Sequence, residues 1–170
     1  MNNQLQNLLE EQLRPDGIWH LSKEISSLLR YQMGRLPRRK VSETETRYPV
    51  STASMRAFLE VFFTRHFFQV QNSLLNYMTS QDFLNIIESG RLSVLDVGSG
   101  PAVASLAITD MLVGILECLR VLNYWPASKM VKVNYILNDT VGICLDTGQC
   151  MLRDYFRIDT KRTEPQREDL

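Results

Sequence analysis

Residues 92–102 read LSVLDVGSGPA, an apolar run that ends in an acid and then enters a glycine-rich turn. No other stretch limits the fold so tightly. Leu92, Val94, Leu95 and Val97 supply the apolar and β-branched side chains of a buried parallel strand, and Gly98 and Gly100 open φ values that other residues avoid. The order predicted is strand, tight loop, helix, with Asp96 at the strand's carboxyl end. In an open α/β sheet, loop amides and the positive end of the next helix converge there on polar ligand groups.

Two cofactor classes use such a turn. Dinucleotide binders need G-x-G-x-x-G, and from Gly98 the third glycine would fall on Val103, which disfavours a nicotinamide enzyme. The run instead resembles motif I of the class I S-adenosylmethionine-dependent methyltransferases: an apolar strand ending in an acid, one residue, then G-x-G-x-G. Ala102 stands at the third glycine position. The resemblance implies a Rossmann-like sheet that binds S-adenosylmethionine. It also implies that Val97, Gly98, Ser99, Gly100, Pro101 and Ala102 approach the methionine part of the cofactor, and that Asp96 helps hold its amino end.

The 170 residues are near the common domain size, and 44% of them are hydrophobic, enough for one core. The family's full sheet needs more strands than the residues between the turn and Leu170 can supply. The fold class expected is therefore α/β, a helical N-terminal extension (1–90) followed by an incomplete Rossmann-like methyltransferase unit (91–156) and a polar tail (157–170). Nineteen basic residues balance nineteen acidic ones, so global charge points to neither nucleic acid nor an anionic membrane. Cys118, Cys144 and Cys150 are odd in number and form no C-x-x-C pair, which suggests neither a disulfide framework nor a zinc or other metal site. With no signal peptide and no apolar run of roughly 18 residues, a soluble cytoplasmic protein is expected.

Before the turn, the pattern is helical. Leu5, Leu8, Leu9 and Leu13 mark an amphipathic helix over 2–14, broken by Pro15, Asp16 and Gly17; a second is predicted over 18–33, stopped by Gly34. His20 reads as a surface or boundary histidine. Residues 34–49 read as an exposed linker whose Arg35, Arg38, Arg39 and Lys40 lack interleaved aromatics and are followed at once by Glu43 and Glu45. One long helix, capped by Ser51 or Thr52, is predicted to Met78 with Phe58, Phe62, His66, Val70 and Tyr77 on its apolar face, and His66 structural. A short helix over 81–88, capped by Ser80 and closed by Gly90, leads into the strand.

After the turn, AVASLAITDMLVGILECLRVL reads as one long buried helix, and the alternation of Val131, Val133, Tyr135 and Leu137 predicts a second strand over 131–138. The strand ends at Asn138 and Asp139. Asp139 is then the acid whose two oxygens accept both ribose hydroxyls. The competing parse makes Leu112–Leu116 a strand and gives that role to Glu117, about 21 residues after Asp96 and near the roughly 20 expected. A helix over 141–156, weakened by Gly142 and Gly148, and a disordered polar tail complete the chain.

Two functions follow from this reading. One is a methyltransferase, or a truncated form of one, that holds S-adenosylmethionine through Asp96, the 97–102 turn and Asp139; its catalytic residues and methyl acceptor are not identifiable. The other is a non-catalytic, methyltransferase-like binding or scaffold module, acting through a partner chain. A two-strand parallel unit has open edges and little coverage, so a homo- or hetero-oligomer completing the sheet is an expected partner.

Overall fold

The computed structural model describes residues 2–160, and side-chain surroundings for 3–157. Six helices precede the first strand: α1 (Asn2–Leu13), α2 (Lys23–Arg35), α3 (Glu43–Arg47), α4 (Thr52–Val61), α5 (Phe63–Met78) and α6 (Gln81–Glu88). Then come β1 (Arg91–Val97), α7 (Val103–Val121), β2 (Lys132–Asn138) and α8 (Gly142–Thr160). The protein is thus mixed α/β and mostly helical, with a parallel two-strand sheet in which Arg91 pairs with Lys132 and Val97 with Asn138.

The long apolar α7 is the centre of the molecule. Being apolar nearly all round, it can be buried on several sides at once. Its first half, Val103, Leu106 and Ala107, joins a cluster with Ile25, Phe63 and Tyr155. Its second half, Met111, Leu112, Ile115 and Leu119, joins another with Leu5, Leu9 and Ile87. Each fully buried side chain of this size contributes about 2 kcal/mol. Helices from before and after the glycine turn therefore share both cores, although sequence divides them at residue 90.

The sheet carries a core on one face only. Leu92, Val94 and Asp96 of β1, with Val133, Tyr135 and Leu137 of β2, point inward and are half-buried. Leu95 and Val97 are 65% and 72% exposed, and Ile136, the partner of Leu95 across the ladder, is 53% exposed. The expectation of a buried strand thus fails on one face, because no element packs there among the described residues.

Four helical expectations are corrected. α2 begins at Lys23, since Ser22 accepts the Ile25 amide at 3.2 Å as its N-cap, and Ile18 is 64% exposed. Gly34 lies inside that helix, which stops at Leu36. The linker contains α3, whose capping box pairs Ser42 with Glu45. The long helix is two, broken at Phe62 (φ −109°, ψ −25°), and the break turns the apolar face onto Phe63, Phe67, Gln71 and Leu75. His66 is left exposed, stacked on Phe62 with ring centroids 5.9 Å apart. α8 runs on to Thr160, so the proposed tail begins as helix; residues 161–170 lie outside the described residues.

Candidate functional site

The turn after β1 is drawn together by the end of β2. The Asn138 carbonyl accepts both the Gly98 amide, at 2.8 Å, and the Ser99 amide, at 3.0 Å. One oxygen of Asp139 accepts the Gly100 amide at 2.8 Å, and its other oxygen accepts the Val141 amide at 2.8 Å. Ser99 in turn accepts the Ala102 amide at 2.9 Å. Asp139 therefore does two structural jobs: it ties the glycine turn to β2 and shapes the entry to α8. A carboxylate has about four lone-pair positions, so each oxygen keeps a further acceptor site.

Asp96 faces the other way, toward α7. Its Oδ2 accepts the Ser105 amide at 3.1 Å and the Ser105 hydroxyl at 2.7 Å. The helix has Ala102 as N-cap, which offers no side-chain acceptor, so Asp96 supplies the missing cap from the strand. Its negative charge also faces the positive end of the helix.

Gly98 (φ +68°) and Gly100 (φ +52°) are left-handed, and so is Ala102 (φ +59°). A Cβ built on Gly98 or Gly100 meets nothing within 4 Å, so the turn has open space before it. Ala102 is fully buried, and its methyl group is accommodated by Gly148 of α8. A Cβ on Gly148 would fall 2.9 Å from that methyl and 3.0 Å from the Ala102 nitrogen. The glycine that weakens the helical reading of α8 is thus what lets the helix approach the turn.

The described site residues fall into three surroundings. Val97 and Gly98 are exposed; Ser99, Pro101 and Ala102 are buried; Asp96, Gly100 and Asp139 are half-buried. Glu117 is not among them. It lies exposed on α7, accepting from Gln12 Nε2 at 3.0 Å, because the segment that the competing parse made a strand is helix throughout. Cys144, in the first turn of α8, donates toward the Pro49 carbonyl at 3.7 Å. Burial, assisted by the Asp139 charge, pushes its thiol up to about 11, which keeps it protonated in the core it packs.

A second polar group lies within the long apolar helix, where periodicity marks no site. Asp110, the acid within the apolar run of α7, accepts from Ser22 Oγ at 2.6 Å and Tyr155 Oη at 3.2 Å on one oxygen, and from Gln71 Nε2 at 3.3 Å on the other. Burial raises its pKa above the usual carboxylate value against these hydrogen bonds. It forms part of a cleft of about 940 Å³ that is also lined by Leu116, Val133 and Phe156. The signal in the sequence is a single acid whose neighbours three and four residues away along the helix, Leu106, Ala107, Val113 and Gly114, carry no polar side chain.

No protein-family model matches the chain, and neither a curated protein nor a solved structure matches it.

Proposed function

We propose that the chain binds S-adenosylmethionine or S-adenosylhomocysteine through residues 97–102, as the cofactor-binding part of a class I methyltransferase-like fold. The observation that carries this reading is the clear space before Gly98 and Gly100, at the carboxyl ends of two parallel strands, with Asp139 bonded to the turn. Bound there, S-adenosylmethionine would supply an electrophilic methyl group. The chain's part is positioning. Asp139 has unused acceptor positions for ribose hydroxyls, and the first-turn amides of Val103 and Ala104 have no intrahelical acceptor. The amides of Gly98, Ser99, Gly100 and Ala102 are already bonded within the chain, so few donors remain and the affinity is modest.

Calorimetric titration with S-adenosylhomocysteine tests the site. Gly98→Val and Gly100→Val should abolish binding, because each fills the open space and strains a left-handed residue. Asp139→Ala should weaken it about tenfold or more, and Glu117→Ala should leave it unchanged. No heat with the native chain, or unaltered affinity in the glycine variants, rejects the reading.

A second reading, a non-catalytic module that works through a partner chain, is favoured by the exposed row of Leu95, Val97 and Ile136. Cofactor binding without methyl transfer, together with a concentration-dependent sedimentation coefficient, distinguishes it from the first.

A further inference from the structure

Arg38, Arg39 and Lys40 follow α2 and, with Arg56 and Glu60 of α4, line a shallow recess of about 300 Å³. In the sequence this basic run is offset by the acids after it. The folded chain uses those acids elsewhere. Glu45 accepts from the Ser42 amide at 3.0 Å and the Ser42 hydroxyl at 2.7 Å, which completes the cap of α3. Glu43 pairs with Arg47 along the same helix, and Glu60 pairs with Arg56 at 2.9 Å. Arg56 is buried and also donates to the Met33 and Leu36 carbonyls, closing the end of α2. Arg38, Arg39 and Lys40 are exposed and form no ion pair among the described residues.

The helix that leads into the loop carries the aromatic that the loop lacks. Tyr31, one helical turn before Arg35, is 55% exposed, and the Arg35 guanidinium lies 5.4 Å from its ring centroid. A planar cation over an accessible ring gives nucleobases a stacking surface, and neighbouring uncompensated cations hold phosphates.

We infer that the end of α2 and the loop leaving it, Tyr31, Arg35, Arg38, Arg39 and Lys40, form a binding surface for single-stranded nucleic acid. A membrane surface fits less well, because α3, which follows the loop, reads ETETR and has no apolar face to insert. The surface stands apart from the cofactor reading. Its recess is lined by residues of α4 and of the loop after α2, and by none of the turn residues 97–102 or Asp139.

Fluorescence anisotropy with a labelled single-stranded RNA, without cofactor, tests the surface independently of the S-adenosylhomocysteine titration. Binding should weaken steadily with salt, as for phosphate contacts. Arg38→Ala/Arg39→Ala/Lys40→Ala should lower affinity about tenfold or more and flatten the salt dependence. Tyr31→Ser should weaken binding about fivefold or more with the salt dependence unchanged. Arg65→Ala/Arg120→Ala/Lys132→Ala, an equal change of net charge elsewhere, should have little effect. Equal loss in that control, undiminished binding in the first variant, equal affinity for the matching duplex, or tighter association with phosphatidylserine vesicles than with RNA would each overturn the inference. Melting curves identical to that of the native chain establish that the exposed substitutions leave the fold intact.

Discussion

Gly148 of α8 and Ala102 of the glycine turn fit together as notch and peg: the hydrogen on Gly148 leaves the space that the Ala102 methyl group fills, and a Cβ there would come within 2.9 Å of it. The methyl is held in a left-handed residue, a conformation that costs a non-glycine side chain about 1 kcal/mol. Packing on all sides offsets that cost.

Gly148→Ala should destabilise the protein by about 1–3 kcal/mol through overpacking, measured by urea unfolding. Adding Ala102→Gly should recover part of the loss. Recovery is incomplete because the new Cβ still lies 3.0 Å from the backbone nitrogen of residue 102. Full additivity of the two changes would show that the residues do not meet.

Asp96→Ala should cost about 1 kcal/mol by uncapping α7. Ser105→Ala should cost less, because it removes the hydroxyl but keeps the amide bond to Asp96. The pair should be coupled in a double-mutant cycle, since each removes part of the same contact.

Asp139→Ala should lower stability by about 1–3 kcal/mol even without cofactor, because two backbone amides lose their acceptor. Asp139→Asn keeps one carbonyl oxygen and should lose less. Comparison of melting midpoints with titrations in both variants separates the structural role of the carboxylate from the proposed ribose recognition.

Asp110 titrates at a higher pH in the folded chain than in the unfolded one, chiefly through burial. The folded state thus holds more protons above the ordinary aspartate value of 3.8, and stability from this group falls as pH rises from there through the folded pKa. Asp110→Asn is neutral at every pH. Its melting midpoint relative to the native chain should therefore be most favourable near neutrality and decline as the pH is lowered toward 4. A difference independent of pH would show that Asp110 does not titrate abnormally.

The elements legible in sequence were those whose periodicity had one interpretation. The alternation from Val131 to Leu137 has no helical equivalent, and the Leu5, Leu8, Leu9, Leu13 spacing has no strand equivalent, because a strand would turn Leu8 to the opposite face. Phe62 defeated the same logic. Phe58, Phe62 and His66 form one helical row and Phe63, Phe67 and Gln71 another, so aromatic richness concealed the change of face that the break produces. In α3 there is no apolar residue for a period to reveal, and only the Ser42 and Glu45 cap marks it. Asp96 and Asp139 could be placed at strand ends because strand ends are local features. That Asp96 caps α7 and that Gly148 receives Ala102 depends on which atoms meet in three dimensions, and sequence spacing does not encode this.

The amides of Gly98, Ser99 and Gly100 find their acceptors 39 to 40 residues further along the chain, on Asn138 and Asp139. None of these bonds exists until the intervening α7 has docked and β2 has aligned, and closing a loop that long is a late entropic step. Hydrogen–deuterium exchange should consequently show those three amides opening together with the amides of β2, as one cooperative unit, and not as a floppy surface turn. The proposed ligand site and the closure of the β-α-β crossover are then the same folding event.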